Sequence, residues 1–126
     1  MNKKQQTIDT YNATAELMAG KFTAIGPRVE DVLQAFSYIQ KYSPRVVEIG
    51  CGNGRDAGEI LTHTSDYIGI DVSTEMIRLA KKSLPDSASK FIVADIEDFK
   101  FPERIDIVFS FASLLHTPKE ALEKIL

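Results

Sequence analysis

A glycine-rich turn follows directly on an apolar run near the middle of the chain. Residues 45–49 lead into residues 50–54, which read Gly-Cys-Gly-Asn-Gly. Glycine permits the positive φ angles of a tight turn and leaves no side chain between the backbone and a ligand. Between a strand and a helix, such a turn holds the pyrophosphate of a dinucleotide at the helix N-terminus. The third glycine of that G-x-G-x-x-G motif falls on Arg55, so the pattern departs from it there.

Acidic residues accompany the first three apolar runs of this part of the chain. Asp71 follows the second run, 21 residues after Gly50, where an acid typically accepts hydrogen bonds from ribose hydroxyls. Glu48 lies inside the first run, and a buried carboxylate is costly unless it is paired or serves a ligand. It therefore indicates a ligand with positive charge or, alternatively, a core salt bridge to a lysine. Asp95 follows the third run, placed to accept a hydrogen bond from an exocyclic amine, although it also begins an acidic stretch that could be solvated.

The elements that must position these residues alternate between strand and helix. Apolar runs rich in β-branched residues predict strands at 45–49, 67–70, 91–94 and 105–109. The runs are mostly continuous, which is typical of strands buried on both faces of a parallel sheet. Helices are predicted at 56–62 and at 74–84, the latter with Ser73 as its N-cap, and residues 96–103 are predicted to be only partly helical. This alternation predicts an α/β fold with right-handed crossovers.

Two helices are predicted ahead of the sheet. Apolar residues recur at helical spacing through the first 26 residues, namely Ile8, Tyr11, Ala15, Met18, Phe22 and Ile25. Gly26 and Pro27 end this helix, and Pro27 suits the first position of a second helix. The predicted apolar face of that second helix comprises Val29, Val32, Leu33, Phe36 and Ile39. Residues 1–43 are therefore assigned to N-terminal helices, and residues 44–126 to the ligand-binding domain.

Composition excludes several classes of protein. The length of 126 residues corresponds to about one domain, and 44% hydrophobic with 26% charged residues excludes a disordered tail. A net charge of −3 without a basic stripe gives no indication of a nucleic-acid partner. No apolar stretch approaches the roughly 20 residues of a membrane helix, and no secretory signal is evident. The single cysteine, Cys51, excludes an internal disulfide and favours a reducing, cytoplasmic setting.

Four segments together resemble the successive motifs of class I S-adenosylmethionine-dependent methyltransferases. They read VVEIGCGNG, IGIDVSTEMIRLAKK, FIVADIEDF and IDIVFSFASLLH, within residues 45–116. All four in this order and at these spacings are highly specific for that family. The resemblance implies a Rossmann-like, three-layer α/β/α fold with a parallel sheet, of which strands in the order 3-2-1-4 are present. It also implies that the two N-terminal helices form a lid or acceptor wall, and that S-adenosylmethionine is the cofactor.

The resemblance assigns roles to individual residues. The glycine turn would wrap the methionine part of the cofactor, Asp71 would bind both ribose hydroxyls, and Asp95 with the backbone of Ile96 would hold the adenine. Val72 and Met76 would flank the adenine. A backbone carbonyl after the fourth strand, at Ser110, would accept a hydrogen bond from the cofactor's amino group, and Tyr11 would cover the cofactor from the first helix. The complete set of cofactor-binding candidates is Glu48, Gly50, Cys51, Gly52, Gly54, Asp71, Val72, Met76, Asp95, Ile96, Ser110 and Tyr11.

The predicted function is methyl transfer by in-line displacement, to a small-molecule acceptor in preference to a protein. No catalytic base is assigned: His116 follows the fourth strand, where acceptor contacts often arise, and it could equally cap the next helix. No metal site is predicted. Two rivals stay open, a non-catalytic S-adenosylmethionine-binding or regulatory domain and an NAD-type dinucleotide-binding oxidoreductase domain. Glu48, Arg55 and Asp95 count against the second.

The end of the chain bears on how the domain is organised. Members of the family continue after the fourth strand with three more strands, whereas residues 118–126 here predict only the start of the next helix. We therefore expect a domain truncated at its C-terminal end, with the later strands absent. Its fourth strand would be an exposed edge, and an exposed edge favours self-association.

Overall fold

The computed structural model describes residues 3–39 and 42–110. Helices α1 and α2 precede a sheet whose strands alternate with helices, and a 3₁₀ segment at Pro85–Lys90 leads into the third strand. The elements are α1 (Lys3–Ile25), α2 (Val29–Ser37), β1 (Val46–Ile49), α3 (Ala57–Ile60), β2 (Tyr67–Asp71), α4 (Thr74–Ser83), β3 (Phe91–Val93) and β4 (Ile107–Phe109).

The four strands form one parallel sheet in the order β3-β2-β1-β4. This confirms the predicted α/β fold class and the predicted strand order. In the register, Glu48 of β1 lies opposite Gly69 of β2 on one side and Phe109 of β4 on the other. Because the strands are parallel, the carboxyl ends of β1, β2 and β3 lie side by side at one edge of the sheet.

The sheet buries both faces of its central strands. One face carries Val46, Tyr67, Phe91, Ile107 and Phe109, which pack with residues of α2, α3 and α4. The opposite face carries Val47, Ile49 and Ile70, which pack against apolar residues of the segment 94–105. Continuous apolar runs in β1 and β2 follow from this two-sided burial.

Helix α4 begins at Thr74 as its sequence predicts and ends at Ser83, one residue before the predicted end. Ser73 is the N-cap, and its hydroxyl oxygen accepts a hydrogen bond from the backbone N–H of Met76 at 3.2 Å. Glu75 lies in the first turn, and Lys81 and Lys82 lie in the last, where each charge complements the helix dipole. The N-terminus of α4 is therefore firmly placed next to the end of β2.

The second helix differs from its prediction. Helix α2 begins at Val29 rather than at Pro27, since Arg28 is its N-cap, with non-helical φ and ψ angles of −84° and 67°. The backbone N–H of Arg28 donates to the Oδ1 atom of Asp56 at 2.8 Å, which ties this cap to the residue before α3. Val32 is buried, whereas Val29 and Leu33 are 39% and 48% exposed, so the predicted apolar face is only partly used. Ile25, at the end of α1, is also exposed.

Two shorter segments also depart from the predicted helices. Helix α3 spans only Ala57–Ile60, within the predicted 56–62. In the predicted partly helical segment 96–103, the described residues form turns instead. The backbone carbonyl of Asp95 accepts hydrogen bonds from the N–H groups of Asp98 and Phe99, at 3.0 and 2.9 Å, which fixes the first of these turns.

Candidate functional site

The glycine turn between β1 and α3 uses the conformations that only glycine adopts readily. Gly50, Gly52 and Gly54 have φ angles of 74°, 56° and 87°. A Cβ atom on Gly54 would lie 3.3 Å from Leu84 Cδ1 and 3.6 Å from Ala80 Cβ, so this glycine allows close packing of the turn on α4. The positive φ angles of its glycines thus define the turn, and Gly54 packs against the end of α4.

Asp71, the last residue of β2, joins this turn to the start of α4. Its Oδ2 atom accepts a hydrogen bond from the backbone N–H of Gly52, and its Oδ1 atom accepts one from that of Ser73, both at 2.9 Å. Burial raises the pKa of Asp71, and these backbone hydrogen bonds oppose the rise because they stabilise the charged form. The carboxylate predicted to meet ribose hydroxyls therefore has a position fixed by the backbone on both sides.

Asp95 lies beside Asp71 at the same edge of the sheet. The backbone N–H of Ala94 donates to the carbonyl of Asp71 at 2.9 Å, which places the residue after β3 against the end of β2. The Oδ1 atom of Asp95 accepts a hydrogen bond from the N–H of Glu97 at 3.0 Å, and Ile96 is buried between them in the chain. Asp71 and Asp95 thus lie at the ends of neighbouring strands, and the buried Ile96 follows Asp95.

Glu48 is buried in the middle of β1, and its hydrogen-bond partner is a tyrosine and not a lysine. The hydroxyl of Tyr67 donates a hydrogen bond to Glu48 Oε1 at 2.6 Å, and each residue is 2% exposed. Burial raises the pKa of Glu48 to about 8. The Tyr67 hydrogen bond and the charge of Arg55 oppose this rise, whereas the charges of Asp56 and Asp71 add to it.

Sequence reasoning missed Tyr67, although a signal for it exists. The tyrosine and Gly69 are two residues apart in β2, so they lie on the same face of the strand. A Cβ atom on Gly69 would come within 2.5 Å of the Tyr67 hydroxyl, so a side chain at this position would block the path to Glu48. A glycine inside a strand often marks such a close approach, and this one faces the acid of the neighbouring strand.

Helix α1 is bonded to both parts of the site, a feature that the sequence did not reveal. Asn12 Oδ1 accepts hydrogen bonds from the Ser73 hydroxyl at 2.7 Å and from the backbone N–H of Glu75 at 3.3 Å. Asn53, in the glycine turn, donates through Nδ2 to the carbonyl of Ala19 and to the hydroxyl of Thr23, both at 3.3 Å. The first helix therefore spans from the N-terminus of α4 to the glycine turn.

Asn53 also leaves one polar atom without a partner. The residue is buried, its Nδ2 is occupied by α1, and its Oδ1 atom accepts no hydrogen bond in the described part of the chain. Buried acceptors without a donor are uncommon in proteins, and each calls for a physical explanation. This oxygen could accept a hydrogen bond from a donor group of a ligand bound at the turn.

The remaining predicted site residues have less distinctive surroundings. Met76 is buried in α4, and Val72 is half-buried immediately before its N-cap. Ser110 is half-buried just after β4. Cys51 is buried, and burial raises the pKa of its thiol well above the ordinary value, which disfavours a nucleophilic thiolate. Tyr11 lies in α1, but its side chain and the whole of His116 lie outside the described residues.

Two kinds of site are not formed by residues 3–39 and 42–110. These residues bring together no group of three or more histidine, cysteine, aspartate or glutamate side chains that could hold a metal ion. Nor do they include a helix that is long and apolar enough to cross a membrane.

The chemistry of this site follows from the acidic side chains at the carboxyl ends of the strands and from the glycine turn. Glu48 and Asp71 lie in β1 and β2, and Asp95 follows β3, the next strand of the sheet. All three side chains offer hydrogen-bond acceptors, and those that are ionised attract positive charge. The same carboxylates would repel a phosphate group bound at the turn. The arrangement therefore suits a ligand with several hydroxyl or amine donors and a positive charge, and it is unfavourable to a pyrophosphate.

Comparisons with known proteins agree with this geometry. Residues 46–126 match the family described as "Methyltransferase domain". The malonyl-[acyl-carrier protein] O-methyltransferase 1 of Ilyobacter polytropus is 30% identical over 95 residues, which are 73% of this chain and 35% of that protein. The trans-aconitate 2-methyltransferase of Acidovorax sp. (strain JS42) is 39% identical over 75 residues, 57% of this chain and 28% of that protein. The chain thus spans about a third of the length of these curated relatives.

Solved structures show the same fold at low sequence identity. The magnesium protoporphyrin IX methyltransferase of Synechocystis PCC 6803, solved with bound SAM, is 18% identical and superposes with a TM-score of 0.75, covering 99% of this chain and 69% of that one. The [4+2]-cyclase SpnF, also 18% identical, reaches a TM-score of 0.77 over 98% of this chain and 55% of that one. With the family match over residues 46–126 and the 3-2-1-4 sheet, the chain belongs to the methyltransferase-domain family of the class I, S-adenosylmethionine-dependent type.

Proposed function

We propose that this chain binds S-adenosylmethionine at the edge formed by the glycine turn, Asp71 and Asp95, and that it transfers the methyl group to a small-molecule acceptor. The observation that carries the proposal is the Asp71 carboxylate, which accepts backbone hydrogen bonds from both Gly52 and Ser73 at 2.9 Å. These contacts combine the turn, the end of β2 and the start of α4 into one rigid acceptor for a ligand that donates hydrogen bonds.

The donor groups of S-adenosylmethionine match the acceptors of this edge. The cofactor carries ribose hydroxyls, an adenine amine, an ammonium and a sulfonium. Asp71 is suited to the hydroxyls and Asp95 to the amine, with Ile96 beside the ring. Glu48 lies beneath the turn as a buried acid, and Asn53 Oδ1 is a buried acceptor without a donor among the described residues. The fit therefore rests on an acceptor-rich site facing a donor-rich, positively charged ligand.

When bound, S-adenosylmethionine supplies an electrophilic methyl group on a sulfonium sulfur. The contribution of the chain is to hold the reactants in line, since fixed geometry removes much of the entropic barrier of a displacement. The glycine turn and Asp71 orient the cofactor. Helix α1, held by Asn12 and Asn53, covers the site and excludes water from it. Residues 1–43 act as the lid and acceptor wall in this proposal, with Tyr11 on the lid helix.

The acceptor we propose is a small molecule with a carboxylate. Trans-aconitate, in the name of one relative above, is such a molecule. Malonyl, in the name of the other, also carries a free carboxylate, although that name places it on an acyl-carrier protein. A carboxylate oxygen is already deprotonated at neutral pH, so its methylation needs no general base. This agrees with the absence of an assigned base, and His116 stays a candidate for contact with the acceptor.

The second candidate function is S-adenosylmethionine binding without methyl transfer. The observation that favours it is the likeness to SpnF, a protein named as a [4+2]-cyclase, which has the same fold. Fold alone does not imply the reaction, so the site must decide. The NAD-type alternative is disfavoured, since Glu48 lies beneath the turn and Arg55 stands where the dinucleotide motif has its third glycine.

Two further parts of the proposal concern the setting of the protein. The buried thiol of Cys51 suits a reducing, cytoplasmic compartment. Strand β4 is an edge of the described sheet, and Val108 in it is 51% exposed, which supports self-association through this strand. Sedimentation of the purified protein tests the second point, and a monomer at high micromolar concentration would contradict it.

The experiment for the function uses S-adenosylmethionine with a labelled methyl group. We expect transfer of label to trans-aconitate or to a malonyl thioester, as a methyl ester, and much less transfer by the Asp71→Ala variant at a subsaturating concentration of S-adenosylmethionine. A nucleic acid and an unrelated folded protein serve as control acceptors. Tight binding of S-adenosylmethionine without transfer to any acceptor would instead support the non-catalytic function.

A further inference from the structure

We propose that Tyr67 is a positioning residue for the cofactor: its hydroxyl holds the buried Glu48 carboxyl beneath the glycine turn, so that Glu48 can face the positive charge of S-adenosylmethionine. The inference deepens the proposed function and rests on it. Its geometric basis is the 2.6 Å hydrogen bond from Tyr67 Oη to Glu48 Oε1, between two side chains that are each 2% exposed.

The sheet is built to allow this contact. Glu48 lies opposite Gly69, and Tyr67 lies two residues earlier on the same face, so its hydroxyl passes over the glycine to reach the acid of β1. A Cβ atom at Gly69 would be 2.5 Å from the hydroxyl and 3.0 Å from Cys51 Cβ. The missing side chain therefore leaves room for the pair and for the first residues of the turn.

The ring of Tyr67 is held independently of its hydroxyl. It contacts Phe91 edge-on, with ring centroids 5.9 Å apart, inside the main core cluster. A tyrosine at this position in the core needs a partner for its hydroxyl, and Glu48 supplies it. Phenylalanine could fill the same space, so the hydroxyl serves the acid rather than the packing.

The ionisation of Glu48 depends on the hydrogen bond that Tyr67 donates, because the carboxyl group is buried. The groups that act on Glu48 are Tyr67 and Asp71 of β2 and, in and after the turn, Cys51, Arg55 and Asp56. Among these, Tyr67 and Arg55 lower the pKa of Glu48, which burial raises to about 8. Without the tyrosine hydroxyl, the carboxylate form would be harder to reach at neutral pH, and a positively charged ligand would lose its counter-charge.

The test is a calorimetric titration of S-adenosylmethionine into the wild-type chain and the Tyr67→Phe variant between pH 6 and pH 9. We expect wild-type affinity to rise with pH towards a plateau. In the variant the same curve should shift to higher pH, so that affinity is several-fold lower at pH 7 and recovers towards pH 9. The Gly69→Ala variant, which keeps both partners but crowds the hydroxyl, should shift the curve in the same direction.

The control is Phe91→Leu, which disturbs the packing of the Tyr67 ring and leaves its hydroxyl in place. It should lower the melting temperature without moving the pH curve. An unchanged pH curve in Tyr67→Phe, or an equal loss of affinity at every pH, would overturn the positioning role while leaving the proposed function intact. Failure of the wild-type chain to bind at any pH would overturn both. As a readout without cofactor, the pH dependence of unfolding should also differ between wild type and Tyr67→Phe.

Discussion

The carboxylate of Asp71 accepts a hydrogen bond from the backbone N–H of Gly52, so the end of β2 and the glycine turn behave as one unit. The second oxygen of the same carboxylate accepts the N–H of Ser73, the N-cap of α4. A ligand at this edge meets an acid that is already oriented, and such pre-organisation lowers the cost of binding.

Replacing this acid should weaken cofactor binding strongly. We expect Asp71→Ala to lower the affinity for S-adenosylmethionine by roughly 10- to 100-fold, because a hydrogen bond to a charged group contributes about 1.5–3 kcal/mol. Isothermal titration calorimetry measures the change. Asp66→Ala, which removes an acid just before the other end of β2, is the matched control and should bind as the wild type does. Equal affinities in Asp71→Ala and wild type would refute the ribose assignment.

Two glycines of the same region should respond oppositely to alanine. Gly54 has a φ angle of 87° and faces Leu84 and Ala80, so Gly54→Ala should destabilise the fold by about 1–3 kcal/mol. A Cβ atom added to Gly58 in α3 would meet no atom within 4 Å, so Gly58→Ala should be neutral or stabilise by up to about 1 kcal/mol. Urea unfolding of both variants checks the pair. Equal changes in the free energy of unfolding for the two variants would contradict the strained and closely packed conformation of Gly54.

The attachment of α1 to the site should depend on Asn12. Its Oδ1 atom accepts hydrogen bonds from Ser73 and Glu75 at the start of α4. We expect Asn12→Ala to increase hydrogen exchange across α1, even though alanine has the higher helix propensity. Gln6→Ala, an exposed position in the same helix, is the control and should leave exchange unchanged. Unaltered exchange in Asn12→Ala would show that packing alone holds the helix.

The ionisation of Glu48 should make stability depend on pH. The pKa of this acid is raised from 4.5 to about 8 in the folded chain, so the folded state binds more protons than the unfolded state between these values. The free energy of unfolding should therefore fall as the pH rises from about 5 to 8, by at most about 1.4 kcal/mol per pH unit from this group. Burial raises the pKa of Asp71 as well, which adds a fall of the same sign.

The variant Glu48→Gln isolates this contribution. It should flatten the pH dependence of urea unfolding between pH 5 and pH 8, whereas Glu103→Gln, at an exposed position, should not. A wild-type chain whose stability rises over this range would contradict the buried, proton-binding state of Glu48.

Much of the fold could be predicted from local patterns. Continuous apolar runs predicted the parallel strands, and the family resemblance predicted their order in the sheet. Ser73 is the N-cap of α4, as its residue type suggests. Asp71 and Asp95 lie at adjacent strand ends, as expected from their places after the runs. These features depend on residues close together in sequence, or on a topology that the alternation of elements restricts.

The contacts that could not be predicted depend on register and on tertiary packing. The pairing of Tyr67 with Glu48 requires that Gly69 lie opposite the acid, and a single-residue slip would remove it. The bonds from Asn12 and Asn53 depend on where α1 docks, which its weakly amphipathic sequence does not indicate. The hydrogen bond from the Arg28 N–H to Asp56, at the start of α2, is likewise a long-range contact, since it joins residues that are 28 positions apart.

The most direct test of the central claim is a calorimetric comparison of S-adenosylmethionine, S-adenosylhomocysteine and NAD⁺ with the wild-type chain at pH 8. A cofactor site built from the glycine turn, Asp71 and Asp95 predicts saturable one-to-one binding of the first two ligands and none of NAD⁺. Binding of NAD⁺ in preference to S-adenosylmethionine, or no binding of either S-adenosyl ligand, would contradict it.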